Sequence, residues 1–276
     1  MSTVTAAAVK SLRDRTDLPM MKCKKALVEA GGDEEKAIEL LKEEMKLKVK
    51  SRSDNECNEG RVFVKSTEDG SKTAAVEFRC ESEPVSKSEG FTELGEALVT
   101  QLLVGPGASS AEELMGQPNP SGSGTLQEFY DEVNGKIQEK FDVAQVVVFE
   151  GPVGVYVHTD GKSGAVLSGE GSDTEAMRDV AMHITAMKPA ALTRDDVDPA
   201  KVQAERDRLT EEAKASGKPD NIVEKIVEGR MGNFYKEDAG VLVEQPFVKG
   251  EGETVGQFLK TKGVEPKRFV LFKIGA

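Results

Sequence analysis

The side chains best suited to chemistry in this chain are two histidines, His158 and His183, and three cysteines, Cys23, Cys57 and Cys80, set among 49 acidic residues. A structural or catalytic zinc site needs cysteine and histidine at short intervals so that the donors converge on one ion, and neither set keeps such spacing. There is no GxxxxGK phosphate loop, and Gly250, Gly252 and Gly256 neither keep the GxGxxG interval nor follow a strand pattern. A nucleophile elbow is missing too. Neighbouring carboxylates such as Glu34 with Glu35 or Asp195 with Asp196 arise by chance in so acidic a chain. A hydrolase reading would rest on such carboxylates alone and on a cleft of perturbed acids that sequence does not reveal. Catalytic residues, metal ligands and a cofactor are therefore not expected. His183 stands one helical turn from Val180 and Met187, where core packing competes with a functional use, and His158 falls at a strand end beside Gly161.

Recognition is the chemistry that remains, and charge restricts the partner. The net charge is −12. Binding to a nucleic-acid backbone is driven by lysine and arginine that neutralise phosphates and release counterions, so a protein partner is expected and direct nucleic-acid binding is not. One basic run, Lys46, Lys48, Lys50 and Arg52, reads either as a nucleic-acid arm or as cations complementing the C-terminal dipole of a helix. No apolar run approaches the roughly 18 residues of a spanning helix. The first ten residues lack the basic flank and apolar run of a signal peptide, and the cysteines are odd in number and scattered, so the expected compartment is the cytoplasm, away from membranes.

The elements that carry this recognition follow from periodicity. Residues 1–52 predict three short helices, with stripes Val4, Ala8, Leu12, then Met20, Cys23, Leu27, Ala30, then Ala37, Leu40, Leu41, Met45. Pro19 suits a first turn, Gly31 and Gly32 a stop, and Asp33, Glu34 and Glu35 a new N-terminus. So small a module buries little core and reads as a docking unit, with residues 53–60 as a polar tether. Val62 and Val64, then Val76, Phe78 and Cys80, alternate with polar neighbours around a turn at Glu68, Asp69 and Gly70, which is a half-buried hairpin. Phe91, Leu94, Leu98 and Leu102 mark a helix, residues 105–124 a Gly, Pro and Ser rich loop, and Leu126, Phe129, Val133 and Ile137 a helix that Thr125 and Glu128 suit as a capping box. Residues 143–149 read as a strand buried on both faces.

The same order recurs beyond residue 150: strands near 153–158 and 164–167, a helix over 173–187, a short helix near 254–260 and a strand over 269–274. An α+β fold is expected, an internal pseudo-repeat of antiparallel hairpins backed by helices, with subdomains at 61–150 and at 151–197 plus 235–276. Within the second subdomain residues 198–234 form an insertion: Asp198 and Pro199 start a helix, Gly217 ends it, and Pro219 starts another carrying Ile222, Val223, Ile226, Val227 and Met231. A short turn makes the pair antiparallel. Its first helix offers only Val202, Leu209 and Ala213, so it reads as an interaction arm or as a solvated outgrowth.

Three runs, LRDRTDLPMMKCKKAL (12–27), AMHITAMKP (181–189) and EQPFV (244–248), resemble bacterial elongation factor Ts, the nucleotide exchange factor of the translational GTPase elongation factor Tu. The resemblance covers nearly all of residues 1–276. It implies a noncatalytic factor that binds elongation factor Tu in its GDP-bound and nucleotide-free states, with a UBA-like N-terminal module and a coiled-coil arm at 198–234 that dimerises or touches a partner. In that family the stretch matching CESEPVSKSEGF (80–91) carries a Thr-Asp-Phe-Val motif at the end of a hairpin strand. Its phenylalanine wedges into the nucleotide domain, and the magnesium ion beside GDP is displaced. The motif falls here on Ser82, Glu83, Pro84 and Val85. Serine for threonine and glutamate for aspartate are mild changes, whereas proline replaces the aromatic wedge with a smaller, rigid apolar knob. Read without the resemblance, the segment is a strand-to-helix loop in which Pro84 terminates the strand.

By the same resemblance Leu12, Arg13, Met20 and Met21 match residues that contact the nucleotide domain. Ile137 with Gln138 falls on an Ile-Gly contact pair, glutamine replacing glycine, and His158 matches a histidine near the interface. For Leu12 and Met20 core packing is the competing role. Two functions stand: exchange on elongation factor Tu, or binding and holding it without exchange, Pro84 being the residue that separates them.

Overall fold

The computed structural model describes residues 4–16, 18–215, 217 and 219–275, without the side chains of 46 and 48–50, so Lys46, Lys48 and Lys50 of the basic run lie outside the described part. The fold is α+β and divides into two compact units, one drawn from residues up to 65, 74–148 and the end from 274, the other from 66–73 and 149–273.

In the first unit, α1 (Ala6–Thr16), α2 (Met20–Glu29) and α3 (Glu34–Lys50) enclose Val9, Leu12, Leu18, Cys23, Ala26, Leu27, Ala37 and Leu41. Two residues of the expected stripes lie outside: Met20 is 49% and Leu40 36% exposed. The buried face of a small bundle is narrow, and Cys23, Ala26 and Leu27, spaced by three and four, already fill it on α2. The third helix is also longer than expected, at 17 residues. Arg15 ties α1 to the start of α3 through Glu34 and Glu35 at 3.0 and 2.7 Å.

Strands β1 (Glu59–Ser66) and β2 (Lys72–Cys80) form a hairpin, followed by α4 (Glu83–Ser86), α5 (Glu89–Val104), α6 (Ala111–Met115), α7 (Leu126–Ile137) and β3 (Phe141–Glu150). The sheet order is β1-β2-β3, which leaves β3 at an edge. The burial pattern corrects the expectation of burial on both faces. Phe141, Val147 and Phe149 are buried while Asp142, Ala144 and Glu150 are exposed, because successive side chains of a strand point to opposite faces and only one face of β3 meets the core. Phe91 of α5 stacks on Phe78 of β2 at 4.2 Å, and Phe141 meets both edge-on at 5.4 and 5.5 Å, so α5, the central strand and the edge strand share one aromatic cluster. The expected loop 105–124 contains α6, whose N-cap Ser110 accepts from the Glu113 N–H; five residues are too few to show a period. Thr125 and Glu128 form the reciprocal capping box of α7. Gly135 of α7 lets α3 lie close, since a Cβ there would stand 2.6 Å from the Met45 sulfur.

In the second unit, β4 (Val153–Val157), β5 (Ser163–Glu170), α8 (Thr174–Met187), α9 (Pro199–Ala215), α10 (Asp220–Lys236), α11 (Val255–Thr261) and β6 (Glu265–Lys273) follow in order. The sheet is antiparallel with β5 central, and Val166 faces Val155 on one side and Val270 on the other. Both units thus place two successive strands and a late third strand around a central second strand. α8 rests directly on β4. At Gly154 an added Cβ would lie 2.0 Å from the Met177 backbone carbonyl carbon, so strand and helix touch there through backbone.

α9 and α10 pair through Leu209, Ala213, Val223, Val227, Met231 and Tyr235. Arg206 meets Glu228, and Arg230 meets Glu212 at 2.8 Å, two ion pairs from one helix to the other. These ion pairs are exposed and contribute little each, so the seam of apolar side chains holds the pair.

Candidate partner-binding loop and module

β2 ends at Cys80, and the next six residues are anchored at their base and exposed at their tip. Glu81 is the anchor. Its carboxylate accepts from Arg52 Nη1 at 2.9 and 3.1 Å, from Asn55 Nδ2 at 2.7 Å and from the Lys140 backbone N–H at 2.5 Å. Burial raises this carboxyl, but the hydrogen bonds from Lys140, Asn55 and Arg52 outweigh it and hold it below the ordinary range. Lys140 answers by donating its ammonium to the Ser53 and Asn55 carbonyls at 2.7 and 2.9 Å. The polar tether expected at 53–60 is therefore fastened at its first residues.

Ser82 is held from the turn between α7 and β3. Its backbone N–H and its hydroxyl both donate to Glu139, at 3.1 and 2.7 Å. Glu139 reaches it because Gln138, the C-cap of α7, turns the chain through the left-handed region at φ 63°. Buried Cys80 donates its thiol to the Ser82 carbonyl at 3.3 Å; burial first and then Glu139 push that thiol up to about 12, which makes it inert.

Beyond this base Glu83 and Pro84 are exposed, and Val85 is half-buried against the core of the first unit. Pro84 does not terminate the strand. It sits in the first turn of α4, where a missing N–H costs nothing and its fixed φ suits the helix. Glu83 pairs with Lys87 at 2.7 Å in the next turn.

The other expected contact residues divide by exposure. Met21 is 74% exposed, Met20 and Arg13 also face solvent, and Leu12 is fully buried, so Leu12 acts through the module's core. Ile137 packs half-buried against the core of the first unit, and Gln138 borders Leu18, Lys22 and Met45 of the module. The loop, the 137–138 pair and the module are thus neighbours within the first unit. His158 belongs to the second unit, exposed at the end of β4, its Nδ1 3.0 Å from the Tyr156 hydroxyl. His183 is a core residue. Its Nδ1 accepts the Val248 N–H at 3.3 Å, which leaves Nε2 protonated and donating to Gln245 Oε1 at 3.0 Å. Burial lowers its pKa, with the Gln245 bond acting the other way.

Sequence reasoning missed Asn55, Glu81, Glu139 and Lys140, and gave Arg52 a different role. Their only local signal is a charge beside a strand end, and the pairing needs both strands in place. Among the described residues no group of three or more His, Cys, Asp or Glu gathers as metal ligands would, and no helix is long and apolar enough to cross a membrane.

The chain's relatives agree over its whole length. An elongation factor Ts of Hyphomonas neptunium is 39% identical over 284 aligned residues, covering 100% of this chain and 93% of the relative. One of Cytophaga hutchinsonii is 40% identical with 98% of each chain covered, and one of Methylococcus capsulatus is 38% identical, covering 99% of this chain and 92% of its own. The family model described as elongation factor TS matches residues 81–276, which begin at the anchor Glu81 and include the loop, Gln138, His158 and the helical arm. This chain belongs to the elongation factor Ts family.

Proposed function

We propose that this chain is the guanine nucleotide exchange factor of elongation factor Tu: it binds the GDP complex, loosens the magnesium ion and the nucleotide, and leaves when GTP enters. The observation that carries this reading is the family relationship across nearly the whole chain. The chain performs no covalent chemistry in it, works in the cytoplasm, and acts as a component of translation elongation.

The parts have the following roles. Residues 1–52, a UBA-like module, dock on the nucleotide domain through Arg13, Met20 and Met21, with Leu12 supporting them from within. Residues 82–85 enter beside the magnesium site, Pro84 and Val85 as the wedge. Ile137, Gln138 and His158 extend the contact from the two core subdomains, 61–150 and 151–197 with 235–276. The hairpin 198–234 is a coiled-coil arm for a second contact or for dimerisation. Support for the wedge comes from the exposure of Pro84 on an anchored base: a rigid apolar knob loses little entropy on insertion.

Exchange is reciprocal coupling. A factor that prefers the nucleotide-free partner lowers its affinity for GDP by the same ratio that GDP lowers the affinity for the factor. Magnesium is an economical target because it bridges phosphate oxygens and protein ligands, so its loss removes several interactions at once. Each tenfold gain in release needs about 1.4 kcal/mol of differential contact, within reach of a few apolar insertions.

Release of a fluorescent GDP analogue from elongation factor Tu at fixed Mg²⁺, with and without the chain, tests the proposal. Strong acceleration is expected. Binding without acceleration, restored by Pro84→Phe, would instead make this a holding protein.

A further inference from the structure

We infer that Glu81 is a positioning residue that stiffens residues 52–55 into a strut between the three-helix module and the loop 82–85; this rests on the reading of that loop as the part that enters the partner. Three donors from two other stretches meet at one carboxylate whose side chain is only 16% exposed: Arg52 and Asn55 from the turn that follows α3, and the Lys140 N–H from the residue before β3. The residue covalently next to Glu81 is Ser82, the first of the loop, which Glu139, the neighbour of Lys140, holds. Lys140 closes the circuit by holding the Ser53 and Asn55 carbonyls.

A polar linker of eight residues with no such ties would spread its ends over roughly 15 Å, and the loop would have to find its site afresh after the module had docked. With the ties in place, the position of α3 fixes the base of the loop. Docking energy gained at the exposed methionines of α2 is then delivered as orientation at Pro84. The arrangement makes a specific kinetic demand: the clasp governs the step after docking rather than docking itself.

The test uses the full chain and elongation factor Tu, with release of the fluorescent GDP analogue followed across concentrations of the chain. Glu81→Gln keeps an acceptor for the Lys140 N–H but removes the ion pair, and Arg52→Gln removes it from the more exposed side. Each is expected to lower the maximal release rate about tenfold while the half-saturating concentration and the thermal midpoint change little. The double variant is expected to be no worse than the weaker single one, since both break one contact. Arg52→Lys, which restores the cation, is expected to recover most of the rate. Unchanged maximal rates in both single variants overturn the inference, as does a loss that follows a fallen thermal midpoint and is not recovered by Arg52→Lys. Alanine at all of 82–85 separates the two readings. If that leaves release accelerated, the loop reading itself fails; if it abolishes acceleration while Glu81→Gln does nothing, the strut alone fails.

Discussion

The carboxylate of Glu139 takes both the backbone N–H and the hydroxyl of Ser82, joining the turn before β3 to the chain just after β2 across 57 residues. Ser82 is also the N-cap of α4 and makes no side-chain capping bond there, since its hydroxyl is committed to Glu139. Two bonds to a charged acceptor in a half-buried place contribute about 1.5 to 3 kcal/mol together. Glu139→Ala is expected to lose that much stability in urea unfolding and to slow GDP release. Ser82→Ala, which keeps the backbone bond, should lose about 1 kcal/mol. An unaltered unfolding midpoint in Glu139→Ala would show that the pair holds nothing.

Gln138 occupies a backbone conformation that suits glycine, at φ 63° and ψ 34°. Gln138→Gly is expected to raise the unfolding free energy by about 0.5 to 1 kcal/mol, the relief of left-handed crowding less the greater entropy that glycine loses. Denaturant titration decides it. A fall in stability would mean that the glutamine side chain, lying beside Leu18, Lys22 and Met45, contributes more than the backbone conformation costs.

His183 gives the second unit a pH dependence of known sign. Its folded pKa lies below the ordinary 6.5, so below that pH the unfolded chain binds more protons than the folded one. Stability is therefore full above about 6.5 and declines as pH falls through it. Protonation would also oppose the Val248 N–H with a second N–H at Nδ1. Unfolding midpoints measured between pH 7.5 and 5.5 should drop in the natural chain and stay level in His183→Gln. Equal slopes would assign the effect elsewhere.

At Gly154 the backbones of β4 and α8 leave no room for a methyl group, the nearest atoms being backbone at 2.0 and 2.1 Å. Backbone does not swing aside as a side-chain end does. Gly154→Ala is expected to cost about 3 kcal/mol or more, at the upper end of overpacking effects, and calorimetry would read it. A loss below about 1 kcal/mol would mean that α8 shifts freely on the sheet.

Much of the architecture is legible in the residues. Spacings of three and four mark most of the helices; alternation around Glu68 to Gly70 marks the hairpin; Thr125 with Glu128 announces the start of α7, and Pro199 and Pro219 the starts of α9 and α10. These signals are local because helix and strand impose their own periods on the chain. Short elements escape that logic. α4 and α6 have four and five residues, less than two turns, and the stripe rule that placed Met20 inside its bundle ignored how narrow a three-helix core is.

The sequence by itself determined the α+β class, the family resemblance and the exclusion of familiar metal and phosphate motifs, since each depends on residues close together in the chain. Only the tertiary structure decided that β3 is an edge, that Leu12 is buried while Met21 is exposed, and that Glu81 and Glu139 clamp the loop at 82–85. Those facts depend on which strand closes against which, and a hydrogen bond between residues 57 positions apart exists only once the sheet between them has formed.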